Sequence, residues 1–311
     1  MVKNKFKLPK TFFAIILCTS DIQPPTVYSP SLIEAKHRSR FHDTTNLFCL
    51  LLIAYCLLAF TNSTYSTIRY VSTTGSSIPP FLTWETAADS IQKCIDFSVN
   101  GDTIIVANGV YYESLVVDKY LWLIGSSMDS CIIDGTGLDM RTVRGFSDFH
   151  LTGFHIIGKN QFEHPTYCIS NILNNSYISN SKLSNASIGL SLGRSSGEIE
   201  NVWVFDILNN GVTTFCSPDT CSPKIKNSIF IMEDVMQAIL LFDGGNTTIT
   251  NNIILDIGNS SRGIGMEFGV KSITIKNNIV TGFGGANIYT LNTTDTAIVE
   301  NNIATHQTSS I

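Results

Sequence analysis

Ile249-Thr250-Asn251-Asn252-Ile253-Ile254-Leu255-Asp256 and Ile275-Lys276-Asn277-Asn278-Ile279-Val280 are two copies of one phrase: a β-branched residue, a polar residue, an asparagine, and one more small or polar residue ahead of an aliphatic. Variants of it stand at Ile178-Ser179-Asn180-Ser181, Ile199-Glu200-Asn201-Val202, Ile225-Lys226-Asn227-Ser228 and Val299-Glu300-Asn301-Asn302. From Asn180 to Asn301 the asparagines recur at intervals of 21, 26, 24, 26 and 24 residues. A period of this length that alternates strand with turn marks a solenoid, in which each repeat buries its apolar side only against its neighbours.

Two short strands meeting at a sharp bend need a residue that tolerates left-handed backbone, and asparagine is the best choice after glycine. The expectation is that these asparagines stack rung on rung and satisfy one another's amides. Between the phrases lies a further strand, at Ile188–Leu192, Ala238–Phe242, Gly263–Phe268 and Ala286–Leu291. Three short strands per turn then enclose one apolar core.

The chain has 311 residues, 14% of them charged, with a net charge of −5. That suits one elongated domain plus a leader and argues against disorder. Its 20 Lys and Arg residues are scattered, which argues against a nucleic-acid partner.

The first 66 residues read differently. Leu47–Phe60 is an unbroken apolar run behind Lys36, Arg38 and Arg40 and ahead of the polar Thr61–Ser66, the layout of a signal peptide. It is short for a membrane span, which needs about 20 residues. An uncleaved signal-anchor is the alternative, and the membrane is then a partner through residues 47–60 alone. Either way the protein is expected to be secreted or at the cell surface, with residues 67–311 as the repeat domain. Ala304–Ile311 stops inside a rung, so the domain is expected to continue beyond the given sequence.

Of eight cysteines, Cys216 and Cys221 flank a turn-rich Ser-Pro-Asp-Thr and can staple a loop. Cys94, Cys131 and Cys168 fall in apolar runs and read as small core residues. No CxxC pair occurs, which disfavours zinc. Ahead of the repeats, Ile68–Ser72 reads as a strand, and Thr83 is placed to cap a helix Trp84–Val99 whose Trp84, Ala88, Ile91 and Ile95 form one apolar face. Such a helix can cover the open end of a solenoid.

Tyr70-Val71-Ser72, the helix ending at Ile95-Asp96, and Gly101-Asp102-Thr103-Ile104-Ile105-Val106-Ala107-Asn108-Gly109-Val110-Tyr111-Tyr112-Glu113 together resemble the opening of secreted right-handed parallel β-helix proteins, the pectin-lyase-like superfamily. Leu123-Ile124-Gly125 and Ile132-Ile133-Asp134-Gly135 extend the resemblance, which runs from Ile68 to Ile311. It implies an all-β, right-handed parallel β-helix with an N-terminal capping helix. It does not imply one activity, because the superfamily holds lyases, hydrolases, esterases and non-catalytic surface proteins.

The Asn-Thr-Asp, Asp-Asp, Gly-His-Gly and Arg-Ile-Lys runs of polygalacturonases are absent, and Asn292-Thr293-Thr294-Asp295 is a near miss. Trp203-Val204-Phe205-Asp206 is similar to the Trp-Ile-Asp-His run of pectate lyases but lacks its histidine. Asp206, Glu233, Asp234 and Asp256 fall at or just beyond the fifth residue after successive asparagines. They can project from one edge of adjacent rungs as calcium ligands, or simply occupy turns. Calcium is the only cofactor this pattern suggests.

Asp139, Arg141, Arg144, Asp148, His150 and His155 form a polar-rich stretch in which Arg144 and His150 can act as uronate clamp and base. Ordinary surface ion pairs account for it equally well. With Asp206 and Asp256, these two complete the catalytic candidates. Tyr111, Tyr112 and Tyr289 with Glu267 are candidates for substrate binding, and Tyr120 and Trp122 add aromatic surface on which sugars stack. Two readings follow: a binding or adhesive β-helix that presents a strand face to an extended polysaccharide, or a lyase or glycosidase acting on uronate polymers such as pectate or alginate.

Overall fold

The computed structural model describes Leu50, Leu51 and residues 66–304, except 162, 171, 173–174, 194–195, 216–220, 243–244, 268–271 and 292–295. The chain divides into the units Met1–Ser63 and Thr64–Ile311, and the repeats lie in the second. The expected leader lies outside the described residues apart from Leu50, Leu51 and Ser66. Among the described residues no helix is long and apolar enough to cross a membrane.

The described residues of the second unit form a parallel β-solenoid with three strand faces. The first face begins with Ile68–Val71, Thr103–Val106, Leu121–Gly125 and Phe149–Thr152, and ends with Lys224–Lys226, Asn246–Thr250, Ser272–Lys276 and Thr296–Glu300. The second runs from Gly109–Tyr111, Cys131–Asp134 and His155–Ile157 to Ile229–Met232, Ile253–Asp256, Ile279–Thr281 and Ile303–Ala304. Tyr177–Ser184 and Glu198–Phe205 bend through the corner and contribute to both faces. The third face is the sheet Leu115–Val117, Arg141–Gly145, Tyr167–Ser170, Ala186–Gly193, Ile207–Phe215, Gln237–Phe242, Arg262–Glu267 and Ala286–Leu291.

Every strand pairs in parallel with its counterpart one turn away, so like residues stack. The first face contributes the column Ile199, Ile225, Ile249, Ile275 and Val299. The second contributes Val204, Phe230, Ile254 and Val280, and the third Leu190, Val212, Ile239, Ile264 and Ile288. These columns meet in one continuous core, and β-branched residues suit such pleated surfaces.

The corner asparagines behave as their chemistry requires. Asn180, Asn201, Asn227, Asn251, Asn277 and Asn301 all have left-handed backbone, with φ between 44 and 59°. Their expected stacking is corrected by the structure. These side chains point to solvent, and Asn201 Nδ2 donates to Asn180 Oδ1 at 2.7 Å, whereas Asn227 Nδ2 turns instead to Glu200. The buried ladder is built one residue later, because the left-handed corner turns that next side chain inward. Asn252 Oδ1 accepts the Ser228 N–H, Asn278 Oδ1 accepts the Asn252 N–H, and Asn302 Oδ1 accepts the Asn278 N–H, each at 2.9 Å. The amide nitrogens of Asn252, Asn278 and Asn302 donate to the carbonyls of Ile225, Ile249 and Ile275.

The helix is shorter than expected, Ile91–Phe97, and Ser90 rather than Thr83 is its N-cap. Residues 81–88 are held away from helical geometry because their backbone runs beside the first strand: Tyr70 N–H donates to Phe81 O, Ala88 N–H to Tyr70 O and Ser72 N–H to Ala88 O. The Glu113 carboxylate accepts from Ser90 Oγ, Ile91 N and Gln92 N, satisfying the orphan donors at the helix start. Ile91, Cys94 and Ile95 are its buried residues and join the core.

Cys94, Cys131 and Cys168 are buried free thiols, and burial pushes each up to about 12. Cys221 is disulfide-bonded, and Cys216 lies outside the described residues.

Two outcomes follow from this packing. Asn278→Ala leaves the Asn252 N–H buried without its acceptor and is expected to cost about 1–3 kcal/mol in urea denaturation, whereas the exposed left-handed Asn277→Gly stays within about 0.5 kcal/mol. The three free thiols are expected to resist iodoacetamide in the native protein and to react fully in denaturant, as mass spectrometry of the alkylated chain will show.

Candidate functional site on the third face

The outward side of the third face is unusual in both polarity and burial. One outward row runs Arg141, Tyr167, Ile188, Asn210, Gln237, Arg262 and Ala286. The next contains Val116 and Arg144 beside Ser170, then Ser191, Thr213, Leu240, Gly265 and Tyr289. Ser170, Thr213, Asn210 and Gln237 are each at most 5% exposed. Their Ser170 Oγ, Thr213 Oγ1, Asn210 Oδ1 and Gln237 Oε1 atoms have no hydrogen-bond partner, and neither do Arg141 Nε and Arg144 Nε.

Four side chains converge toward the C-terminal part of this face. Arg262 Nη1 and Gln237 Nε2 both donate to Glu267 Oε1, at 3.1 and 3.0 Å. The Arg262 guanidinium lies 4.0 Å from the centre of the Tyr289 ring, a cation–π contact that fixes both groups. Gly265 makes room for this cluster, since a β-carbon there would come within 1.8 Å of Gln237 Oε1. At the other end of the sheet, Arg141 lies over Tyr167 at 5.4 Å and Arg144 over Phe146 at 4.5 Å. A cleft of about 290 Å³ opens beside the N-terminal ends of these strands, lined by Gln161, Pro165, Ser187, Leu208, Asn209 and Met236.

The structure brings together Glu267 and Tyr289 from the sequence-derived candidates and adds Arg262 and Gln237, which the sequence reading missed. Both occupy the first residue of their strands, and only the register that stacks Gln237 on Arg262 puts them on one row. A polar residue two places before an alternating apolar run is the sequence signal that would have found them.

Other candidates separate. Arg144 faces outward on the third face, whereas His150 lies on the first, stacked on Trp122 at 3.9 Å and 4°. His155 lies on the second face, with Nε2 2.8 Å from Ser184 Oγ. Asp148 bonds Asn175, and Asp139 accepts its neighbour Met140 N–H. The expected Arg144 and His150 pair is thus split by the prism's geometry. Tyr111 is buried with its hydroxyl donating to Ala107 O, and burial raises its pKa; Tyr112 is 72% exposed.

The expected calcium ligands are turn residues. Asp206 and Asp234 occupy left-handed corners with φ of 52° and 54°. Asp234 accepts the Asn259 N–H, and Asp256 accepts from Ser260 N, Ser260 Oγ and Gly258 N. The Asp256 carboxylate serves its own loop and that of Asp234 the loop of the next rung, and among the described residues no three His, Cys, Asp or Glu side chains are grouped to hold a metal.

No protein-family model matches the chain, and no curated protein matches it in sequence. Solved structures do match in shape. The complex of XylC with xylose superposes with a TM-score of 0.61 at 12% identity over 76% of this chain and 66% of that one. An alginate lyase from Paenibacillus sp. str. FPU-7 gives 0.51 at 12% identity over 78% of this chain and 99% of that one. The chain has a parallel β-helix fold. This β-helix spans just under two thirds of XylC's length, and at such identities the likeness concerns the fold.

The histidines set a pH response for this β-helix. Burial lowers the affinity of His150 for protons, with Asp148 opposing; burial and the Lys182 charge lower that of His155, with Asp134 and Asp129 opposing. The unfolded chain then binds protons first, so stability is full above pH about 6.5 and falls as pH drops through it, until the folded histidines also protonate. Urea midpoints at pH about 7.5 and about 5.5 are expected to show this loss, and His150→Asn with His155→Asn to reduce it.

Proposed function

We propose that the protein binds a uronate-containing polysaccharide along the outward side of the third face and cleaves it by β-elimination at the Gln237, Arg262, Glu267 and Tyr289 cluster. The observation that carries this reading is the set of unpartnered polar atoms in two adjacent outward rows, on Arg141, Arg144, Ser170, Asn210, Thr213 and Gln237. Each buried polar atom left unpaired costs about 1–3 kcal/mol. A chain rich in hydroxyls and carboxylates supplies the missing partners, and the planar guanidinium forks suit carboxylates.

β-Elimination breaks the C–H bond beside the uronate carboxyl and the C–O bond to the leaving sugar, and forms a C=C bond. One proton passes to a base on the protein, and one is delivered to the leaving oxygen. Arg262 and Gln237 are assigned to hold the carboxyl, Tyr289 to move the proton, and Glu267 to keep Arg262 in place. Inverting hydrolysis needs two carboxyl groups across the sugar, and among the described residues of this cluster Glu267 supplies one. The same rows also suit binding without turnover, the reading favoured by the absence of any complete catalytic motif.

Export is part of the proposal: Leu47–Phe60 has signal-like composition, and the disulfide at Cys221 suits an oxidising compartment. The winding is assigned as right-handed, the sense that parallel connections take, with the short helix closing the N-terminal end.

The test is incubation with polygalacturonate and with alginate while unsaturated product is followed by ultraviolet absorbance. Wild type is expected to turn over one of them. Tyr289→Phe should lower kcat about a hundred-fold or more, and Arg262→Ala should raise KM as well. Binding that depends on Arg262 without unsaturated product would replace the lyase with a binding module, and failure to bind either polymer would remove both readings.

A further inference from the structure

A second surface stands apart from the third face. On the first face, near its N-terminal end, outward positions run Ile68, Thr103, Trp122 and His150 in one row, and Tyr70, Ile105, Ile124 and Thr152 in the next. Trp122 has one ring face covered by His150 at 3.9 Å, yet the residue is 40% exposed. Its open surface is therefore the opposite face, which looks over the small Thr103. Tyr120 stands nearly perpendicular to His150, at 77°, and walls one side.

In the segment beside the first strand lies another exposed indole. Trp84, 45% exposed, packs against Tyr70 with ring centres 4.6 Å apart. Tyr70 is on the strand Ile68–Val71 and Trp122 on Leu121–Gly125, with Thr103–Val106 between them. Two strand spacings put the strand of Tyr70 about 10 Å from that of Trp122, and Trp84 stands against Tyr70 in the segment beyond, so the two indoles suit separate units of one extended sugar chain.

The electrostatics differ from those of the third face. None of the outward residues in these rows carries a fixed charge, and burial disfavours a proton on His150, with Asp148 opposing. Arg69, on the same first strand, is neutralised in a buried pair with Asp102 at 2.9 Å. A carboxylated chain finds no cation here, while the apolar C–H face of an uncharged pyranose finds two indoles flanked by the Tyr120 and Thr103 hydroxyls.

We infer that Trp84 and Trp122 form a second carbohydrate site, for an uncharged pyranose chain, on the first face. The inference rests on the reading of the protein as carbohydrate-handling but not on the third-face cluster. Because the two surfaces are different sides of the prism, the site would tether the protein to one polymer while the third face engages another. Two weak attachments on one body raise the local concentration at each.

The test uses the full chain and calorimetric titration with xylohexaose and with cellohexaose, so that removing an indole does not remove the signal. Wild type is expected to bind at least one of them, Trp122→Ala and Trp84→Ala each to weaken that binding about ten-fold, and Trp203→Ala on the second face to leave it unchanged. Circular dichroism of the variants checks that they fold. Binding unchanged in both Trp84→Ala and Trp122→Ala, or no binding of either oligosaccharide by wild type, overturns the inference. Arg262→Ala separates the two sites: it is expected to retain the uncharged oligosaccharide and lose the polyuronate. Polyuronate turnover without any indole-dependent binding would overturn this site and leave the third-face reading standing.

Discussion

A parallel coil must turn its backbone sharply without leaving amides stranded in the core, and the corner between the first and second faces is where this protein meets that demand. Left-handed asparagines make the bend, and the residue after each one turns inward. Where that residue is Asn252, Asn278 or Asn302, its amide receives a backbone N–H of the preceding rung and donates to a carbonyl of that same rung. Ser228 does the same more modestly, accepting from Val202 N and donating to Lys226 O. With the corner fixed, strand register follows, and with register the isoleucine columns of the core.

Register also creates the surfaces. A strand residue acquires its neighbours from the turns above and below, about 20 to 30 residues distant in sequence. The Gln237, Arg262, Glu267 and Tyr289 cluster draws on three successive rungs, and the Trp122 and His150 stack joins two others. The solenoid thus assembles polar and aromatic groups on separate sides of one rigid body. The polar side is buried and under-satisfied, while the aromatic side is open and uncharged.

The sequence candidates fared according to how they were derived. Glu267 and Tyr289 were placed by strand alternation, and the structure has them on the same outward face. Arg144 and His150 were paired by nearness along the chain, and a turn between two faces separates them. Asp206 and Asp256 were placed by counting from each asparagine; Asp206 occupies a left-handed corner, while Asp256 ends a strand and bonds Gly258 and Ser260 of the loop that follows. The helix was drawn from periodicity alone, and strand-like pairing of residues 81–88 with Tyr70 and Ser72 shortened it.

The amino-acid sequence by itself determined the coil, its period and its left-handed corners, because those depend on local backbone preference and on apolar alternation within a few residues. Only the tertiary structure decided which asparagine lies inside the ladder, which arginine meets Glu267, and that Trp84 and Trp122 share a face. Those outcomes depend on how one rung is shifted against the next, and a one-residue slip sends every side chain of a strand to the opposite side.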